Sequence, residues 1–151
     1  MSRRGFTLVE LLIVMIVLGI LSGLALIKTN DLRNAAIATQ VSQEMRAIQI
    51  AAFNYYADKE TWPAEAGPGQ VPPGLSPLLP GQLAGSFDQG QYVLDYDNIG
   101  AGERDIISVS ATTTDTRLMA KLVAYLGNKA PVFVVQGNRV TYLISGPGGG
   151  F

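Results

Sequence analysis

A single carboxylate, Glu10, stands in a stretch of 22 residues, Phe6 to Ile27, that carries no other charge. A charged side chain in the middle of a membrane helix costs ~2.5–3.5 kcal/mol on insertion scales. Nearer the end of a span it costs less, but it still needs a partner. A second group of acids, Asp95, Asp97, Glu103 and Asp105, gathers around Asn98 in DYDNIGAGERD. Oxygen ligands so arranged can hold Ca2+, although the spacing is not that of an EF-hand loop. A solvated turn is the competing reading. The chain has no histidine and no cysteine. It therefore lacks the commonest general base and metal ligand, any thiolate site and any disulfide. Serine, threonine and aspartate without histidine leave a hydrolytic triad with no ordinary base. Gly146 to Gly150 is not a phosphate loop, because no lysine or Ser/Thr follows in the required place. The composition points away from an enzyme.

The elements that must position these groups begin with the apolar run. As a helix, 22 residues span roughly 33 Å, enough for a hydrocarbon core of about 30 Å. The run is too long for the apolar region of an ordinary secretory signal. A plain signal anchor fits the length and the flanking Arg3 and Arg4, which would stay cytoplasmic, but leaves Glu10 without a purpose. From Lys28 onward the composition turns polar while the helical period persists. Ile37, Val41, Met45, Ile48, Ala52 and Tyr55 form one apolar stripe, and no proline occurs before Pro63. The pattern predicts one helix over about Phe6 to Asp58. Its first half, 6–27, is membrane-spanning and its second, 28–58, is amphipathic and seated on a small head. A coiled-coil dimer is the alternative use of the stripe. Gly19 and Gly23 offer either close helix approach or a soft point in the span.

Residues 59–151 read as the head. Trp62-Pro63 ends the helix, and Pro63 to Pro80 is a Pro/Gly-rich loop that Leu75, Leu78 and Leu79 pin in place. Strands are expected over 91–96, 106–110, 131–136 and 139–144. The last two flank Gly137-Asn138, a two-residue hairpin signal. Thr114-Asp115 offers a helix cap ahead of a stripe of Leu118, Leu122, Tyr125 and Leu126, closed by Gly127-Asn128. The fold class is α+β: a long N-terminal helix packed on a short antiparallel sheet. GPGGGF, 146–151, reads as a loose tail.

Arg3-Arg4-Gly5-Phe6-Thr7-Leu8-Val9-Glu10 resembles the prepilin leader junction of type IV pilins and of the related pseudopilins of type II secretion. The resemblance is strong over roughly the first 30 residues. It implies that residues 1–5 are a leader cut after Gly5 by a prepilin peptidase, and that Phe6 becomes an N-methylated amine. It implies that Glu10 meets the Phe6 amine of a neighbouring subunit when helices bundle into a filament. The partners it implies are further copies of the chain in a helical filament, other minor pilins, an inner-membrane assembly platform, and membrane lipid before assembly. The head would lie outside the cytoplasm, on the periplasmic side or at the cell surface. Major pseudopilins also carry a calcium loop, but their Asp-Pro-Trp-Gly stretch is missing here. Many family members carry a proline near the end of the span, where this chain has Ile27. Two other functions fit the layout: a monomeric membrane-anchored binding module, and a minor pilin for DNA uptake. Arg104, Arg117, Lys121, Lys129 and Arg139 are scattered through a head in which acids outnumber bases, so nucleic acid is not the expected partner.

Overall fold

The computed structural model describes residues 6–100, 105–127 and 133–145. Two compact units are present, residues 1–34 and residues 35–151. Helix α1, Leu8–Lys59, contributes to both and is 52 residues long. The expected span of Phe6 to Asp58 is thus met to within two residues at each end.

In the first unit every side chain described from Phe6 to Leu24 is exposed. Leu8 is 81% exposed and even the least exposed large side chain there, Val14, is 47% exposed. This segment is long and apolar enough to cross a membrane, and none of it is buried by the chain itself. Gly19 and Gly23 both lie within α1, and nothing stands within 4 Å of where a Cβ would sit on either.

The second unit is built on the amphipathic part of α1. Val41, Met45, Ile48 and Ala52 are buried, together with Ala38 and Ala51, while Ile37 and Tyr55 are partly buried against them. The stripe read from the sequence is therefore covered by the chain's own head. Four strands follow: β1, Val93–Gly100; β2, Asp105–Thr112; β3, Phe133–Gln136; and β4, Arg139–Ser145. All pairs are antiparallel and the order is β1-β2-β4-β3. Alternation puts Leu94, Tyr96, Ile107, Val109, Ala111 and Val140 into the same core as the helix stripe. Helix α2, Thr116–Leu126, adds Leu118, Leu122 and Leu126 to that core, while Tyr125 stays half-buried. Asp115 caps it, accepting from the amides of Arg117 (2.8 Å) and Leu118 (3.2 Å). Hydrogen bonds tie α1 to the sheet layer. The Tyr92 hydroxyl donates to Glu44 Oε2 at 2.7 Å, and Gln49 Nε2 donates to the Tyr142 hydroxyl at 3.1 Å.

Three details differ from the sequence expectation. First, β1 and β2 run further than 91–96 and 106–110, because Asp97 to Gly100 pair with Asp105 to Ser108. These residues have poor strand propensity, but ladder pairing overrides it, and Asn98 Nδ2 donates to the Pro63 carbonyl at 2.9 Å. Second, Leu78 is exposed at 43%. It lies in a 3₁₀ turn, Ser76–Leu78, with proline in its first turn, and a second such turn follows at Gly81–Ala84. Leu75, Leu79, Leu83 and Phe87 anchor this segment instead. Third, the helix stops at Lys59, ahead of Trp62-Pro63, because Glu60 adopts a left-handed backbone with φ 56°. Beyond this stop Trp62 stacks on Tyr56 (centroids 4.5 Å apart) and meets Phe53 edge-on at 5.6 Å. The expected strand residues 131–132 and the tail 146–151 lie outside the described residues.

Close approach fixes one loop glycine. A Cβ on Gly74 would stand 2.7 Å from Cε2 of the Tyr55 ring. Overpacking of this kind typically costs about 1–3 kcal/mol. A fragment beginning at Asp31 retains the second unit and is expected to be soluble and folded. In it Gly74→Ala should lower the free energy of unfolding measured in urea by that amount, and an unchanged midpoint would show that the ring does not sit on the loop.

Candidate functional site

The first candidate is the start of α1. Thr7 precedes the first helical residue, and Glu10 follows three positions later. The Thr7 amide and the Thr7 hydroxyl both donate to Glu10 Oε2, at 2.9 and 2.8 Å. In return the Glu10 amide donates to Thr7 Oγ1 at 3.3 Å. This is a reciprocal capping box, in which two otherwise orphaned helix donors are satisfied by side chains. Threonine at the cap and glutamate at the third position are the signature of that motif, and both residues are plain in the sequence. Reading Glu10 only against the membrane hides it. Two neutral-donor hydrogen bonds also make a carboxylate easier to keep in apolar surroundings, where an unpaired polar group is expensive. Glu10 Oε1 accepts no hydrogen bond among the described residues, and the side chain is exposed. Phe6, 75% exposed, lies just ahead. Gly5, the expected cleavage position, lies outside the described residues. The chemistry available here is not bond-making by the chain itself. A carboxylate at the end of an uncovered apolar helix can receive a cation.

The second candidate, the acidic group, falls on two strands and on a stretch outside the described residues. Asp95 and Asp97 sit on strand β1 rather than in a turn, on the sheet face away from α1. Pairing sets Ser110 opposite Asp95 and Ser108 opposite Asp97. Both serines are buried, and their small side chains leave room for Arg139, which reaches across β2 from the start of β4. Arg139 binds Asp95 at 3.1 Å and also Asp97, while the Ser108 hydroxyl donates to Asp97 at 3.2 Å. Two of the four proposed calcium ligands are therefore engaged by a guanidinium. Glu103 lies outside the described residues, and Asp105 is placed as the first residue of β2. Among the described residues no group of three or more acidic side chains could hold a metal ion. Nothing in the sequence marked Arg139 as the partner of acids more than forty positions earlier. Only the strand register reveals it.

One guanidinium serving two carboxylates leaves an imbalance. The Asp95 side chain is only 5% exposed, and its Oδ1 is buried without a hydrogen-bond partner among the described residues, as is the Ser110 hydroxyl. Burial first, and the Asp97 charge second, push the Asp95 carboxyl up to about 6, against the opposing pull of Arg139. A group that binds its proton more tightly when folded adds stability at low pH. That stability is complete below the unfolded value near 3.8 and is lost as pH rises through about 6. At about 1.4 kcal/mol per pKa unit, the fragment from Asp31 should gain roughly 2 kcal/mol from this group between about pH 7.5 and pH 4.5. Asp95→Asn should remove that part of the pH dependence. Identical urea midpoint shifts in wild type and variant would contradict this account of the cluster.

Comparison with known proteins bears on the first candidate. Residues 1–26 match the model of the prokaryotic N-terminal methylation motif. The chain is 35% identical over 63 residues to the fimbrial protein EcpC of Eikenella corrodens. That alignment covers 42% of this chain, and the chain spans 41% of the length of the fimbrial protein. No solved structure matches significantly.

Proposed function

We infer that this chain is a pilin-like structural subunit of a type IV filament, anchored and then assembled through its N-terminal helix. The observation that carries the reading is a coincidence at one place. The methylation motif covers a helix start whose described apolar side chains are all uncovered and whose one carboxylate has an oxygen that accepts no hydrogen bond among the described residues. On this reading a prepilin peptidase cuts after Gly5. The leader holds two of the eleven basic residues, so nine remain against twelve acids, a formal −3 for the mature chain. Cutting also creates an amine on Phe6. An α-amine has a reference pKa near 7.7–8.0 and is mostly cationic at neutral pH. When apolar helices bundle, the amine of one copy and Glu10 of its neighbour compensate each other where either alone would be costly. Before assembly the same helix crosses the inner membrane, with the second unit outside the cytoplasm. An assembly platform would lift it from there. The reading covers a surface fimbria and a secretion pseudopilus, and the fimbrial relative favours the first.

Pairing and plain anchoring differ in what they require of Glu10. In an anchor, Glu10→Val is harmless, because the span only becomes more apolar. In a bundle it leaves a neighbour's amine unpartnered, and one-sided loss of a buried pair costs about 3–5 kcal/mol. The expected phenotype is a protein that is cleaved at Gly5, resident in the membrane and stable, in cells with few or no filaments by electron microscopy. Normal filaments from Glu10→Val cells would exclude the pairing role.

A further inference from the structure

Glutamate has three side-chain torsions, so an unrestrained carboxylate at position 10 would sample many directions and lose that freedom on pairing. The structure shows it already restrained. Oε2 takes both donors of Thr7, and Oε1 accepts no hydrogen bond among the described residues at this exposed helix start. We propose that Thr7 is the positioning residue for Glu10, holding Oε2 so that Oε1 is presented to the Phe6 amine of a second copy of the chain. This rests on the pairing described above and adds a division of labour between the two oxygens. Oε2 belongs to the chain's own helix and Oε1 to the neighbour. It also lets the carboxylate wait in the membrane before assembly, because two hydrogen bonds partly replace lost water. A secondary ammonium, the product of methylating the Phe6 amine, keeps two N–H donors, so one of them is enough for Oε1.

Valine and serine at position 7 separate the hydroxyl from the shape of threonine. The side chain in Thr7→Val matches the size but neither donates nor accepts, which leaves Oε2 with the backbone amide of position 7 alone, while Thr7→Ser retains the hydroxyl. A bond to a charged acceptor is lost in the valine variant, so filament yield per cell should fall about ten-fold or more. Thr7→Ser should assemble like wild type. Both variants should carry a mature, methylated Phe6 and unchanged helicity in detergent micelles, which a mere loss of helix would not allow. Normal assembly of Thr7→Val beside failure of Glu10→Val would overturn the positioning role and leave the pairing standing. Normal assembly of both would remove the pairing and the positioning role with it. A second measurement does not depend on processing. In full-length chain in micelles, the Thr7 amide should exchange slowly in wild type and fast in Glu10→Val. Fast exchange in wild type would show that Thr7 does not hold Oε2.

Discussion

An apolar surface that the chain cannot cover by itself governs the first unit. From Phe6 to Leu24 no described side chain is buried, and at about 25 cal/mol per Å² such a surface is strongly driven out of water. Lipid can cover it, and so can other helices of the same kind. Lipid tails are as apolar as leucine, so passing from one cover to the other yields little hydrophobic free energy. Something more specific must favour the bundle. In this segment the candidates are close packing at Gly19 and Gly23 and the one charge, Glu10. Among them only the charge would, on the proposed pairing, also dictate which end of a neighbour it meets.

The same helix is used differently in the second unit. Past Asn34 its stripe of small and branched residues is covered by a four-stranded sheet and a second helix, and Glu44 and Gln49 are bonded to sheet-layer tyrosines. The polar stretch after Lys28 therefore marks a change of solvent along one element. It is not a change of element. The face of the sheet turned away from α1 is polar but partly buried, and it is held by Arg139 across two strands. That arrangement is not fully compensated, and Asp95 carries the deficit. The head thus holds together despite one unfavourable group, as marginally stable domains commonly do.

Much of this was legible from residue order because the governing patterns are local. Apolar spacing from Ile37 to Tyr55 foretold which helix face is buried, and Gly137-Asn138 foretold the β3–β4 turn, where Gly137 indeed has φ 61°. The Thr7–Glu10 box was equally local but was masked by the louder membrane signal around it. What stayed hidden depends on contacts distant in sequence. Asp97 to Gly100 look like a turn until β2 pairs with them. That Asp95 and Asp97 share Arg139 becomes visible only once the strand register is known. Leu78 looks like an anchor until the 3₁₀ turn at Ser76–Leu78 turns it outward.

The central claim is that a newly made amine at Phe6 meets Glu10 inside an assembled filament, and the state of the N-terminus in that filament tests it most directly. Filaments sheared from cells and analysed by intact mass should contain this chain beginning at Phe6 and carrying one N-terminal methyl group. Filaments that contain the chain with Met1 or Ser2 still at its N-terminus would contradict the account, because no free amine would then lie where Glu10 needs it.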